Sequence, residues 1–204
     1  MLLTREDVRD FSRISDLKGM EHLVKLLPER VGSPLSVNAL REDLGVHFQT
    51  AANWVEILKK IFLVFTIRPW HNRSLAVIRK EPKLYFYDWS FIQGRGERFE
   101  NLMAVALSSL AARWTETGLG DFEIFFIRER GGGKEVDFLL ADRKRPVALF
   151  EAKTGQSEIS AAGKYFANRL KVPFYQVVLN HESPAEYPGN CFVIPAELFF
   201  MLTG

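Results

Sequence analysis

Two carboxylates stand inside apolar runs of this 204-residue chain: Asp137 in "KEVDFLLA" and Glu151 in "PVALFEAK", with Lys153 two positions further on. A carboxylate in such surroundings is costly unless a cation or hydrogen-bond donors compensate it. Both runs read as strands, joined by "DRKRP", a loop of hairpin length. Side chains alternate faces along a strand, so Glu135 and Asp137 share a face of one strand, and Glu151 and Lys153 share a face of the next. A hairpin centred on Lys144 opposes Ala141 to Val147, Asp137 to Glu151 and Glu135 to Lys153. Opposed side chains lie about 5 Å apart. Two carboxylates so placed repel each other, and a divalent cation turns that repulsion into coordination by hard oxygens, which Mg²⁺ prefers and Mn²⁺ accepts. Lys153 beside the metal could hold a phosphate oxygen or orient an attacking water. The same spacing also admits a plain ion pair of Lys153 with Asp137 or Glu135 and no chemistry. A one-residue slip in register would part the two acids onto opposite faces.

The elements that must position these residues follow in order. "GERFENLMAVALSSLAARWTETG" carries Phe99, Leu102, Met103, Ala106 and Leu110 at helical spacing. "FEIFFIRER" is a strand of aromatic and β-branched residues, and "GGG" makes a turn before the two strands above. "SEISAAGKYFANRLK" is an amphipathic helix, "PFYQVVLN" a strand and "CFVIP" a candidate further strand. The order is αβββαβ. Val136, Phe138 and Leu140 fall on one face of their strand and Leu139 on the other, as in a sheet covered on both sides.

Upstream, Leu17, Met20, Leu23, Val24 and Leu27 repeat at helical spacing, and Pro28 limits that helix. Ser36 is a candidate N-cap for a helix whose stripe is Val37, Leu40 and Leu44. Gly45 supplies the positive φ of a tight helix-to-helix turn. A second helix follows, with Ala51, Trp54, Val55, Leu58 and Ile61 on one face. "FLVFTIRPW" and "KLYFYD" form a hairpin turned by "HNRS". Helix-turn-helix plus hairpin describes a winged helix, whose second helix would offer Gln49, Thr50 and Asn53 to a DNA groove. Arg68, Arg73, Arg79, Lys80 and Lys83 would approach phosphates from the wing. Between residues 59 and 83 there are seven Lys/Arg against Glu81 alone, an excess of six over a whole-chain net charge of +2. The competing readings of this region are a protein–protein adaptor and a simply solvated basic hairpin.

That small net charge excludes a polycation, so nucleic-acid binding would rest on local patches. The single cysteine, Cys191, cannot staple a fold, and no Cys/His spacing suits zinc. The longest apolar run, "IFLVFTI", falls far short of the ~20 residues of a membrane span, and no signal-peptide core is present. The expected setting is therefore cytoplasmic. "GGGKE" fails as a P-loop, because Arg128 takes the first glycine position and Glu135 the Ser/Thr position, so no ATP site is expected.

"EVDFLL" and then "EAK", with thirteen residues between Asp137 and Glu151, resemble the PD-(D/E)xK nuclease motif. More closely, "REDVRDFSRI", "LREDLGV", "WVEILKKIFLVF", "PKLYFYD", "FENLM", "EVDFLL" and "FEAK", in that order from residue 5 to residue 153, resemble the C-terminal region of a family of bacterial and archaeal AAA+ ATPases, where a domain of unknown function follows the ATPase module. The resemblance implies a winged helix at 1–92 and a restriction-endonuclease-like domain at 93–204, an α/β (α+β) chain from which the ATPase module is missing. It assigns Asp137 and Glu151 as metal-binding acids, Lys153 as the catalytic lysine and Glu100 of "FENLM" as an acid completing the metal shell. Val136 departs from the motif's proline, and His47 and Phe48 stand where relatives carry a small capping residue. The chain looks like a C-terminal fragment of such a protein, or like the product of a gene that has lost its motor. The expected function is a Mg²⁺- or Mn²⁺-dependent DNA nuclease, the alternative a catalytically inactive DNA-binding or protein–protein module.

Overall fold

A computed structural model describes residues 16–70, 81–129, 133–155 and 158–203. It contains α1 (Leu17–Leu26), α2 (Val37–Leu44), α3 (Phe48–Lys60), β1 (Val64–Pro69), β2 (Lys83–Phe86), α4 (Arg95–Glu116), β3 (Phe122–Arg128), β4 (Glu135–Asp142), β5 (Arg145–Lys153), α5 (Ala161–Leu170), β6 (Phe174–Val178), β7 (Ala185–Tyr187), β8 (Cys191–Pro195) and α6 (Ala196–Thr203). The chain is a mixed α/β protein with one eight-stranded sheet, in the order β2-β1-β3-β4-β5-β6-β8-β7. β1 pairs antiparallel with β2 and runs parallel to β3, so the strand pair of the first half extends the sheet of the second; the expected "HNRS" turn lies outside the described residues. Among the described residues no helix is long and apolar enough to cross a membrane.

The first helices form where local chemistry starts and stops them. The Asp16 side chain caps α1 by accepting from the Gly19 N–H, and Ser36 caps α2 by accepting from the Ala39 N–H. Pro28 turns the end of α1 into a short 3₁₀ segment, Leu27–Arg30. Gly45 ends α2 at φ 64°, a left-handed conformation that glycine adopts without a Cβ penalty, and α3 follows at once.

The sheet is covered on both faces, which is why its central strands are apolar at successive positions. One core joins α1–α3, α4 and α6 to one face, through residues such as Leu58, Met103, Leu107, Phe126, Phe138, Phe150 and Phe199. The opposite core lies under α5 and includes Phe125, Ile127, Val136, Leu139, Leu149, Phe166 and Phe174. Cys191 belongs to this second core, buried and free.

Two irregularities of β4 decide where the acids go. Phe138, Leu139 and Leu140 pair with Phe150, Leu149 and Ala148, the register of a hairpin centred on Lys144. Nearer the turn the register shifts, so Ala141 faces Pro146 rather than Val147, and Asp142 faces Arg145. The loop shrinks to Arg143 and Lys144, both at positive φ, as a two-residue hairpin turn requires. On the other side, Phe125 pairs with Leu139 but Ile127 with Val136, so Phe126 alone opposes Asp137 and Phe138. This β-bulge breaks the alternation. Val136 lies in the α5-side core and Phe138 in the α4-side core, correcting the expectation that they share a face.

Candidate functional site

The bulge turns the N-terminal end of β4 towards α4. Glu100 projects from the second turn of α4, and Lys83 and Tyr85 from alternate positions of β2. These side chains meet around one buried ammonium. Lys83 is 1% exposed, and its Nζ lies 2.7 Å from Glu135 Oε1, 3.4 Å from Glu100 Oε1 and 3.8 Å from Asp137 Oδ1. The ammonium also stands over the ring of Phe126, 5.4 Å from its centroid. Tyr85 Oη donates to Glu100 Oε1 at 2.8 Å. Glu135 also binds Arg128. Burial alone would disfavour the Lys83 charge, but Glu100, Asp137 and Glu135 outweigh it and push its pKa above the ordinary lysine value. Burial, followed by the fields of Glu100 and Asp137, pushes the Tyr85 phenol well above its usual value, so it stays a proton donor.

α4 is held against β2 by the neighbour of Glu100. Asn101, fully buried, accepts from the Phe86 N–H at 2.8 Å and donates to the Phe86 carbonyl at 2.8 Å. Gly32, at φ 72°, presses on the other side, where a Cβ would stand 2.8 Å from Glu100 Oε2. Only a residue without a side chain leaves that carboxylate its place.

Asp137 links this cluster to a second one. Its Oδ2 accepts from the Ala152 N–H at 3.0 Å, while Oδ1 faces Lys83. Burial pushes the Asp137 carboxyl up to about 8, and Glu100 and Glu151 add to the push against Lys83 and the Ala152 N–H. Beyond Ala152 stand Glu151 and Lys153. Glu151 alternates with Phe150 and so points to the α5 side, where it accepts from the hydroxyl of Ser160, the N-cap of α5. Its other oxygen lies 2.6 Å from Lys153 Nζ. Burial opposes the Lys153 charge, yet Glu151, Asp137 and Glu100 together push its pKa up.

The structure thus brings Glu100, Asp137, Glu151 and Lys153 to one end of the β4–β5 pair, as two clusters. The strand pairing stops at Phe138–Phe150, and Asp137 turns to Lys83 on the α4 side while Glu151 turns to Ser160 on the α5 side, which corrects the expectation that the two acids oppose each other on one face. Glu135 reaches Lys83 and Arg128 rather than Lys153, because the bulge turns it towards α4. Among the described residues no three His, Cys, Asp or Glu side chains form a group that could hold a metal ion as they stand. The carboxylate oxygens are turned to Lys83, Ala152, Ser160 and Lys153 instead. Hard oxygens from three acids, one with its proton held tightly by burial, are nevertheless the donor chemistry that a divalent cation satisfies.

Lys83, expected at phosphates, is buried and belongs to the carboxylate site; strand parity puts it beside Tyr85 against α4. Its isolation at the head of the apolar run "KLYF" was the available signal, but its partners lie far along the chain. Arg68 is paired with Glu123 and Lys59 with Glu56, so much of the basic excess is already answered. Arg73, Arg79 and Lys80 lie outside the described residues. Gln49 and Asn53 are exposed near the start of α3 and bonded to each other, and Thr50 is half-buried.

The molecule is therefore a mixed α/β protein with a carboxylate–lysine site where its first and second halves meet. Residues 2–94, less than half of the chain, match the model of a family described as a domain of unknown function (DUF8612). That stretch contains Lys83 and Tyr85, whereas the acids of the site lie beyond it. No curated protein and no solved structure matches the chain.

Proposed function

We propose that the chain is a metal-dependent nuclease-like module, a restriction-endonuclease-like core preceded by a winged helix, related to the C-terminal region of AAA+ ATPases. The observation that carries this reading is the gathering of Glu100, Asp137, Glu151 and Lys153 at one end of the β4–β5 pair, with Asp137 between Lys83 and the Ala152 N–H and Glu151 2.6 Å from the Lys153 ammonium. Asp137, Glu151 and Glu100 would hold Mg²⁺ or Mn²⁺. The ion, when bound, would acidify a water and polarise a phosphate. Lys153 keeps 30% of its side-chain surface in solvent, so its ammonium can swing from Glu151 to a phosphate oxygen and offset charge that builds there. Glu151 orients Lys153, and Ser160 orients Glu151. The exposed start of α3, with Gln49 and Asn53, would lie along a duplex.

A second reading rests on Lys83. An ammonium already sits among Glu100, Glu135 and Asp137, which favours a non-catalytic module whose carboxylates serve the fold. A nicking assay on supercoiled plasmid separates the two. Cleavage under Mn²⁺ or Mg²⁺, quenched by chelation and lost in Asp137→Asn and Lys153→Ala, supports the nuclease. An inert parent over a range of Mn²⁺ concentrations overturns it in favour of the structural module.

A further inference from the structure

We propose that Lys83 is a tethered counter-ion that competes with a divalent cation for Glu100 and Asp137, and so sets how tightly the site takes metal. This rests on the metal-binding reading of those acids. Lys83 Nζ is 3.4 Å from a Glu100 oxygen and 3.8 Å from an Asp137 oxygen, with its stem sealed in the sheet. A cation bound by the same oxygens would be its close neighbour, and like charges at such range repel strongly away from bulk water. Lys83 cannot withdraw by rotating into solvent, because its side chain is 2% exposed. It can withdraw only towards Glu135, its nearest partner, which the β4 bulge holds beside it at 2.7 Å. Glu135 is thus the parking place for the ammonium, and Glu100 and Asp137 are the oxygens it would release.

The arrangement also ties loading of the site to the first half of the chain. Lys83 heads β2, which pairs with β1 and is clamped to α4 by Asn101. The Gly32 loop closes on Glu100 from the same half. An acid site of the second half is therefore compensated by a base of the first, and displacement of Lys83 by a metal would be felt along β2.

The test is Mn²⁺ binding, by calorimetry and by metal-induced change in melting temperature, on the full chain and on Lys83→Met, Lys83→Gln and Lys83→Arg. The expected result is that both uncharged variants bind Mn²⁺ about tenfold or more tightly than the parent. They should also melt lower without metal and recover with it, while Lys83→Arg resembles the parent. If the parent binds Mn²⁺ and the uncharged variants bind it no better, the competition is refuted and the metal site stands. If only the uncharged variants bind, the competition stands and the native chain is not a metal-dependent nuclease. If none binds and Mn²⁺ rescues no variant, both fall. Lys83→Gln keeps a polar, similarly long side chain, so a folded variant remains should Lys83→Met fail to fold.

Discussion

Two lysines serve the same group of acids in opposite ways. Lys83 comes from the edge strand β2, is buried, and faces Glu100, Glu135 and Asp137. Lys153 ends the central strand β5, is partly open to solvent, and among the described residues forms its direct ion pair with Glu151. A buried ammonium with several partners cannot leave without stranding charge, so its position is a property of the fold. A half-open ammonium can turn to another anion more easily, because the Glu151 it leaves is still served by the Ser160 hydroxyl. The first lysine compensates the site and the second is available to act in it. Reading either from its sequence neighbourhood alone would miss this division, since Lys83 lies in the basic stretch and Lys153 in the motif.

The contrast can be broken or sharpened by experiment. The largest effect is expected from Lys83→Ala. It leaves Glu100, Glu135 and Asp137 without their shared counter-ion and should cost about 3–5 kcal/mol in metal-free denaturant unfolding. A loss no greater than that of Lys153→Ala would abolish the distinction.

Next comes Asn101→Ala, which leaves the Phe86 N–H and carbonyl, both on a fully buried residue, without their partner. The expected loss is about 2–4 kcal/mol for the two groups together. Because the amide also anchors β2, the variant should speed hydrogen exchange across β1–β2 more than across β4–β5. Uniform acceleration would show that the two regions unfold as one.

Asp137→Asn tests the link between the clusters through pH. In the native state this carboxyl is raised to about 8, well above the ordinary value of about 3.9 that the unfolded chain shows. Between those values the native state holds a proton that the unfolded state has lost. The stability this group contributes is full below about pH 4 and is lost as pH rises through about 8. The amide mimics the neutral carboxyl and can still accept from the Ala152 N–H. Metal-free Asp137→Asn should therefore melt well above the parent at pH 8.5 and only a little above it at pH 5. A variant less stable at both pH values would mean that the Asp137 charge is needed by Lys83.

The smallest stability effect is expected from Lys153→Ala, about 1–2 kcal/mol, since the ammonium is partly solvated and the buried Glu151 keeps the Ser160 hydroxyl as a partner. Any nicking activity should nevertheless fall by about a hundredfold or more, the scale of losing one charge-stabilising group. Full activity in this variant would remove Lys153 from the chemistry.

Much of the secondary structure was determined by local pattern. The apolar spacing of "FENLMAVALSSLAARW", the Ser36 cap, the left-handed Gly45 and the strand-like runs around Asp137 and Glu151 each specify their element from within a few residues. The hairpin register at Phe138–Phe150 was legible too, because a short loop leaves few ways to pair two apolar strands. The carboxylates and Lys153 were legible as candidates because charge inside an apolar run demands a partner.

What only the tertiary structure decided is which partner. The bulge opposite Phe126 depends on how β3 packs beside β4, and it alone sends Glu135 and Asp137 towards α4. Ser160 meets Glu151 because α5 covers that face of the sheet. Lys83 meets Glu100 because β1 pairs in parallel with β3 and carries β2 to the flank of α4, a contact between residues 17 positions apart that no periodicity encodes. Strand parity can say that a side chain leaves the sheet on one side. Only the packing of distant elements places the opposite charge there, because Coulomb attraction depends on distance in space and not along the chain.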